Sequence, residues 1–346
     1  MTSFGEYQFG NEVLFIPDLE KGFGQHRGME QPRPTVAQHE KSQECAADLE
    51  RRKYWFRWVT GHQSMLLLWH LLAAELSAFN SDDQITPDLE LSAKIFRATA
   101  SIYEYSCFLP VEFYNRDVRP FMSLSHMGFS GSWAADYRYL SLLCSMVMNA
   151  PRGVFDAGSL KIFKESRSMG HKSHVTVANR MVPGGGSLLK KSAETGCDFV
   201  RPLRHHYLIF DSFFQVHRTS VTADQLVDSL DMRIDAILVD LNQGDARGED
   251  FFSVDPVRVI DEARVSIKQS RGSAFKGNIR EAVEREVRSA HELLRLFDTN
   301  RDGAITRAEA GDIYAKRFQQ WDKDGDGIAT REEIEEFLLD MTTWQS

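Results

Sequence analysis

Two twelve-residue acidic segments near the carboxyl end constrain the fold of this 346-residue chain more than any other feature. The segments are DTNRDGAITRAE (298–309) and DKDGDGIATREE (322–333), and both follow the spacing D-x-[DN]-x-[DN]-G-x5-E. This spacing brings oxygen ligands around one cation, and the glycine at its centre allows the sharp turn that the loop needs. Two complete matches in tandem predict a pair of calcium-binding EF-hand loops.

The alignment of the two loops assigns a set of oxygen ligands, most of them from side chains and one per loop from a backbone carbonyl. The predicted ligands are Asp298, Asn300, Asp302, Ala304 and Glu309 in the first loop, and Asp322, Asp324, Asp326, Ile328 and Glu333 in the second. Because the loops follow each other closely, one short helix over 307–321 must both leave the first loop and lead into the second. Ala329 replaces the common isoleucine at the position that bridges the loops, which favours a structural clamp over a sensor.

A long helix is predicted over about 46–79. In its sequence YWFRWVTGHQSMLLLWH, the residues Trp55, Trp58, His62, Met65 and Trp69 follow the spacing of one helical face. A histidine on such an apolar face needs a partner or a task, since burying it unpaired costs about 1–3 kcal/mol. His62 is therefore a candidate functional residue.

The rest of the chain is also mostly helical in pattern, with almost no alternation typical of strands. Helices are predicted over 86–108 with Thr86 as N-cap, and over 139–149, 156–181 and 222–244. The segment 205–217 fits helix or strand, and 1–45 and 115–137 read as irregular. We therefore predict a mostly α fold, with a helical domain at 1–250, a linker at 251–277 and the EF-hand pair at 278–346.

Composition narrows the classes of partner. The net charge is −9, of which −6 lies in the last 56 residues, and this balance argues against nucleic acid. No apolar stretch is long enough to span a bilayer, so no membrane association is expected. The start of the chain lacks the pattern of a signal peptide, and the four cysteines show no regular spacing. A cytoplasmic protein with reduced thiols is expected.

A second histidine cluster lies in ESRSMGHKSHVTVANRMVPGGG. On a helix, His174 has Gly170 four residues before it and Ala178 four residues after it, which leaves room for a flat group beside the imidazole. A neutral imidazole over small residues suits an axial haem ligand. His171 is the neighbouring alternative, and a solvated turn without any ligand is the plainer interpretation of the same residues.

Three segments, YWFRWVTGHQ, RDVRPFMSLSHMGFSGSWAADY and RMVPGGGSLL, resemble the histidine-ligated, haem-dependent tyrosine hydroxylases of antibiotic biosynthesis, which are distant relatives of tryptophan 2,3-dioxygenase. The resemblance covers roughly residues 50–245. It implies a helical haem domain in which the distal histidine corresponds to His62. The axial histidine falls within GHKSH, with His174 favoured and His171 in reserve. One branch of the family attaches haem through a cysteine four residues after the ligand; since Ala178 stands there, non-covalent heme b is implied.

The resemblance also implies a reaction, the ortho-hydroxylation of L-tyrosine or a substituted tyrosine to a catechol. The oxidant is hydrogen peroxide or dioxygen. His62 would handle a proton at the distal face, and Arg119 is a candidate to clamp the carboxylate of the amino acid, unless it pairs with Asp117. Trp58, Ser130 and Trp133 are the remaining candidates for the wall of the cofactor pocket.

Two other functions remain open at this point. A haem dioxygenase of the same fold would oxidise tryptophan or open an indole ring, giving a ring-opened ketone instead of a catechol. A non-enzymatic calcium-binding protein would use the helical body as an interaction module and would show no Soret band. The sequence leaves open whether the chain forms a homo-oligomer.

Overall fold

The computed structural model describes residues 13–17, 46–79, 86–148, 150, 152–183, 188, 204–242, 251–279, 282, 293–294 and 297–340. The mostly α fold is confirmed. The helices are α1 (Ala46–Ser77), α2 (Leu89–Ser106), α3 (Val111–Phe113), α4 (Arg119–Ser125), α5 (Ala135–Met148), α6 (Ala157–Met181), α7 (Arg204–Phe213), α8 (Ala223–Asn242), α9 (Pro256–Gln269), α10 (Arg307–Trp321) and α11 (Arg331–Asp340). The strands are β1 (Leu14–Pro17), β2 (Val216–Thr219), β3 (Ala304–Thr306) and β4 (Ile328–Thr330).

Helix α1 is the centre of the body. It packs against α2, α5 and α8, and from Met65 to Ala74 every residue except Trp69 is buried. A helix that is apolar on all sides must be covered on all sides, which is why its neighbours form a layer around it. This central position fixes His62, which lies one turn before the most buried part of α1.

Helix α2 lies between α1 and α6 and also contacts α9. The sequence predicts Thr86 as its N-cap, and this prediction is wrong. Asp88 is the cap, because its carboxylate accepts hydrogen bonds from the backbone N–H groups of Glu90 and Leu91, both at 2.9 Å.

The segment 115–137, predicted as irregular, is largely helical. Helix α3 continues into a π-helical turn (Tyr114–Val118) and then into α4, and a 3-10 turn follows (Gly131–Trp133). Pro120 lies in the first turn of α4, where a missing N–H is tolerated, so it begins a helix here and does not break one. A π-helical turn shifts the side chains that follow it, and such turns are frequent at functional sites.

The ambiguous segment 205–217 forms both structures, helix α7 and then strand β2. Strand β2 pairs in parallel with β1, in the register Leu14 with Val216. Apart from residues 13–17, the predicted irregular arm over 1–45 lies outside the described residues. The short β1–β2 pair ties this part of the chain to the body.

The segment predicted as a linker, 251–277, contains helix α9. Its apolar residues Val259, Ile260, Ala263 and Ile267 are buried against α2 and α8. Because the apolar residues recur at helical spacing, this part of the chain packs as an ordinary helix of the body. The division into 1–250, 251–277 and 278–346 stays a prediction.

The carboxyl-terminal pair has a small core of its own, which includes Ile305, Phe318, Trp321, Ala329 and Ile334. Helix α10 covers 307–321, as the spacing of the loops predicts. Of the four cysteines, Cys107 and Cys144 are free and buried, whereas Cys45 and Cys197 lie outside the described residues. Within the described part of the chain, no helix combines the length and apolar content that crossing a bilayer requires.

Candidate functional sites

Helices α1, α2 and α6 bring His62, Tyr103 and His174 together. The ring of Tyr103 stacks on His174 with centroids 5.0 Å apart and an angle of 21°. The same tyrosine meets His62 edge to face at 6.4 Å. The tryptophan-rich segment and the GHKSH segment, 112 residues apart in the chain, therefore share one site.

The tautomer of His62 follows from its hydrogen bond. Its Nδ1 lies 2.7 Å from the backbone carbonyl oxygen of Trp58, which can only accept, so Nδ1 carries the hydrogen and donates it. Burial lowers the pKa of His62 to about 4, against the smaller effect of that hydrogen bond. At neutral pH the ring is uncharged, and Nε2 carries a lone pair that can accept a proton.

The surroundings of the two histidines indicate a recess. Burial lowers the pKa of His174 as well, and the charge of His171 lowers it further. Yet His62 is only half-buried and His174 is exposed by surface area. A side chain that is desolvated by surrounding protein and still accessible lies on a concave wall. Gly170 adds open space, because a Cβ built there would meet no atom within 4 Å.

Aromatic side chains form the wall around His62. Phe214 stacks on its imidazole at 4.6 Å with an angle of 12°, and Trp58 packs against it at 4.3 Å. Tyr114, which begins the π-helical turn, packs on Trp58 at 5.6 Å. Burial raises the pKa of Tyr114 to about 12, so its phenol keeps the proton.

These residues fit a flat iron porphyrin. Trp58 is only 5% exposed, and its indole Nε1 has no hydrogen-bond partner among the described residues. A buried N–H without an acceptor is rare and indicates a missing partner beside it. His174 offers an imidazole, Gly170 gives room beside it, and aromatic side chains line the wall around His62. The donor set and the shape both suit haem.

The remaining predicted site residues lie at different distances from this recess. His171 is exposed on α6. Arg119 is half-buried and near enough to Tyr114 for its charge to oppose the effect of burial on the pKa of that phenol. Trp133 is buried against His206 at 4.3 Å and connects to the wall around His62 only through Phe129, which packs on Trp133 at 5.6 Å and on Phe214 at 6.4 Å, and Ser130 is half-buried beside the same 3-10 turn.

Sequence reasoning missed the side chains that connect the predicted residues. Tyr103, Tyr114 and Phe214 come from three elements and meet only in the folded chain. The pattern SIYEYSCF predicts that Tyr103 lies on a helix, but it does not predict which residue of another helix Tyr103 contacts. The stretch RDVRP, which the resemblance includes, was the only available signal near Tyr114.

The first acidic loop is closed by its own backbone. Asp298 accepts hydrogen bonds from the N–H groups of Asp302 (3.2 Å) and Gly303 (3.0 Å), and Asp302 accepts one from Ala304 (3.0 Å). Hydrogen bonds from the backbone N–H and the hydroxyl of Thr306, and from the hydroxyl of Thr299, lower the pKa of Glu309 to about 2, so this carboxylate is ionised. With the bond that Oδ1 of Asn300 accepts from the Asp302 N–H at 3.0 Å, these contacts hold the predicted ligands Asp298, Asn300, Asp302 and Glu309 within one loop.

The second loop has the tighter cluster of ligands. Carboxylate oxygens of Asp322, Asp324 and Glu333 lie within 4.8 Å of one another. Oδ1 of Asp322 is buried, and no described residue donates a hydrogen bond to it. Burying a carboxylate oxygen that accepts no hydrogen bond costs free energy unless a cation lies against it. This loop therefore fits calcium.

The two loops are joined by strands β3 and β4, which pair antiparallel with Ile305 opposite Ala329. Both residues are fully buried. The small side chain of Ala329 therefore does not prevent the bridge between the loops. Gly303 and Gly327 both have φ near +90°, the conformation that the sixth loop position requires.

Two comparisons with known families bear on these sites. Residues 18–150 match the family model described as SfmD 3-methyl-L-tyrosine peroxygenase, and residues 291–309 match an EF-hand model. These matches confirm the resemblance to the haem-dependent tyrosine hydroxylases and the carboxyl-terminal EF-hand. The first match includes His62 and Arg119 and ends before His171 and His174. No curated protein matches the chain.

Proposed function

We propose that this protein is a haem-dependent aromatic hydroxylase with a calcium-binding carboxyl-terminal module. Its substrate would be L-tyrosine or a ring-substituted tyrosine, and its product the catechol. The observation that carries the proposal is the recess in which His62 and His174 both contact Tyr103. The match of residues 18–150 to a peroxygenase of a methylated tyrosine supports the same reaction class.

His174 is the residue that would hold the haem, with His171 as the alternative, and the haem would be heme b without a covalent bond. When bound, it would supply the redox chemistry that moves one oxygen atom from peroxide or dioxygen to the aromatic ring. The wall of Trp58, Tyr114 and Phe214 would limit the access of water to the reacting groups. The indole N–H of Trp58 would donate to an oxygen atom in the recess.

His62 would act as the general base. Its Nε2 holds the free lone pair, and its lowered pKa keeps that lone pair available at neutral pH. The proton would come from the peroxide or from the phenol of the substrate. The hydrogen bond to the carbonyl of Trp58 fixes the ring, so the position of Nε2 is set before the substrate binds.

Arg119 would bind the carboxylate of the amino acid, because its charge acts on Tyr114 of the aromatic wall and a guanidinium pairs two oxygens at once. Ser130 and Trp133 would contribute to the outer wall. In the calcium module, the predicted ligands of both loops would act as a structural clamp. The free thiols of Cys107 and Cys144 support the cytoplasm as the setting.

An absorption spectrum of the protein, expressed with haem supply, tests the proposal first. A Soret band is expected, and His174→Ala should abolish it while His171→Ala keeps it. The reverse result would make His171 the ligand, and a colourless protein that takes up no hemin would refute the proposal.

Mass spectrometry after incubation with tyrosine or 3-methyltyrosine and peroxide then tests the reaction. A product with one added oxygen and the ultraviolet spectrum of a catechol is expected. A ring-opened ketone from tryptophan would instead identify the indole-oxidising alternative. The same incubation with dioxygen and a reductant distinguishes the oxidants.

A further inference from the structure

Two consecutive residues of α2 hold two consecutive residues of α6. Tyr103 stacks on His174, and the carboxyl group of Glu104 accepts a hydrogen bond from the hydroxyl of Ser173 at 2.8 Å. The two contacts lie side by side across the interface between these helices. The contact made by Glu104 has no part in the proposed chemistry.

Glu104 is 4% exposed and gathers further donors. Ser253, in the segment before α9, donates its hydroxyl to Oε1 at 2.7 Å and its backbone N–H to Oε2 at 3.0 Å. All three donors are neutral, and no cation among the described residues pairs with the group. Burying a carboxyl group in this way is costly, so its position needs a reason.

The face that α6 presents to the body near His174 is narrow. Ser173 and Val177 are buried there, whereas Lys172, Val175 and Thr176 are exposed. Adjacent residues on a helix point about 100° apart, so a contact that fixes Ser173 also fixes the direction of His174. Gly170, one turn before His174, adds no packing of its own, because a Cβ built there would meet no atom within 4 Å.

We propose that Glu104 is a positioning residue that sets the orientation of His174. By holding Ser173 and Ser253 at once, it ties α6 and the start of α9 to the turn of α2 that carries Tyr103. The imidazole then stays on Tyr103 and faces the recess. This proposal rests on the proposed function insofar as His174 binds haem, but the orientation itself can be measured without haem.

The first measurement uses haem-free protein with 13C-labelled histidine. The ring of Tyr103 shifts the resonance of the His174 Cε1–H group, which His174→Ala identifies. We expect Glu104→Ala and Ser173→Ala to move this resonance toward the position of a mobile histidine. Glu104→Gln should restore it, because the amide oxygen accepts from the Ser253 N–H while the amide N–H groups donate to the two hydroxyls.

The second measurement is hemin titration followed by the Soret band. Residues that orient a metal ligand typically change metal affinity by about 10–100-fold, and we expect a loss of this size in Glu104→Ala and retention in Glu104→Gln. Glu75→Ala is the matched control. Glu75 is also a buried carboxyl group that accepts backbone N–H groups, from Asp88 and Phe275, but it lies at the far end of α1.

The outcomes separate the two proposals. An unmoved His174 resonance in both Glu104→Ala and Ser173→Ala would overturn the positioning role. Equal effects in Glu75→Ala would also overturn it, because they would show a general loss of stability. If the wild-type protein takes up no hemin, the proposed function fails, while the resonance still decides whether Glu104 orients His174. Should Glu104→Ala not fold, Ser173→Ala, which removes a single hydroxyl, carries the test.

Discussion

At the scale of single residues, His62 shows how one hydrogen bond can define a chemical role. The carbonyl of Trp58 fixes the hydrogen on Nδ1, and burial keeps the ring neutral. We predict that His62→Ala retains hemin but loses turnover by about 10²–10⁴-fold, the usual contribution of a general base. The Soret band and the rate of catechol formation measure the two quantities separately.

His217→Ala is the control for this prediction, because His217 is exposed on β2 and lies outside the recess. Its turnover should equal that of the wild type. If His62→Ala hydroxylates at the wild-type rate, His62 is not the base. If it loses hemin instead, His62 acts on the cofactor and not on the proton.

The sequence identifies His62 as a candidate because it lies on an aromatic helical face, and His174 because Gly170 and Ala178 flank it at helical spacing. It does not identify Tyr103 or Glu104, since a tyrosine and a glutamate on a helix are unremarkable until the opposite helix is known. Their role depends on Ser173 and His174, about 70 residues away along the chain. Contacts of this kind depend on how two helices pack, which local pattern does not encode.

At the scale of elements, a glycine next to His62 sets the separation of α1 and α2. A Cβ at Gly61 would lie 2.5 Å from Cβ and 3.0 Å from Cα of Ser106. We predict that Gly61→Ala pushes the helices apart and lowers the free energy of unfolding by about 1–3 kcal/mol, as overpacking does. Urea denaturation of the haem-free protein measures this change.

Gly170→Ala is the matched control, because it is the same substitution inside another helix where the added Cβ meets no atom within 4 Å. It should leave stability unchanged or raise it by up to about 1 kcal/mol, since alanine favours the helix. Equal stability of the two variants would contradict this prediction, because it would show that α1 and α2 can separate without a loss in the free energy of unfolding.

A buried charged network joins α1, α5 and β2. Asp136 is fully buried; Nδ1 of His70 lies 2.9 Å from it, and Arg218 donates to it at 2.8 Å. Burial alone would raise the pKa of Asp136, but the charge of Arg218 and the contact with His70 outweigh it, and the pKa lies well below the ordinary 3.8. The folded protein therefore resists protonation of this carboxylate.

The sign of the pH dependence follows. As the pH falls through about 4, the unfolded carboxyl group takes up a proton and the folded one does not, so stability present above that pH is lost below it. We predict that Asp136→Asn unfolds at a lower temperature at pH 7, because breaking a buried ion pair typically lowers the free energy of unfolding by roughly 3–5 kcal/mol. Its melting temperature should then fall less steeply than that of the wild type between pH 5 and 3. Parallel curves would contradict this assignment.

The elements themselves were predictable where periodicity is strong, as in α1, α6 and α8. The helix α9 was missed because its flanking glycines and serines suggest a linker, although its apolar residues recur at helical spacing. The segment with the π-helical turn was also missed, since Pro120 looks like a break until it is placed in the first turn of α4. In both cases the local sequence is compatible with a helix and with an irregular segment, and tertiary packing decides between them.

At the scale of the whole molecule, the calcium module is joined to the body at the far end of the helix that carries His62. Glu75 of α1 accepts the backbone N–H of Phe275 at 3.0 Å, and Gly277 lies so close to the end of α1 that a Cβ would overlap Ser77. Ile279 and Ala282 belong to the core of the body. Helix α11 also contacts α5. The segment that precedes the module is therefore anchored in the core of the body.

We predict that calcium stabilises the whole chain in a single unfolding transition. A ligand that binds only the folded state at 100 times its Kd adds about 2.7 kcal/mol, and the buried side chains of Phe275, Ile279 and Ala282 transmit this gain to the body. EDTA should therefore lower the melting temperature of the body, followed by near-ultraviolet circular dichroism. Glu333→Gln should melt at the EDTA value even with calcium present, because Glu333 is the bidentate ligand of the tighter loop.

Glu335→Gln is the control, since Glu335 pairs with Arg331 on the outside of α11 and is no predicted calcium ligand. It should respond to calcium as the wild type does. Two separate transitions, of which only the one with the smaller enthalpy moves with calcium, would show that the module folds independently and that Ile279 and Ala282 transmit nothing. A single transition that moves with calcium in Glu335→Gln but not in Glu333→Gln would show that the module and the body unfold together. Calcium bound to a module that was not packed on the body could not change the stability of the residues around α1.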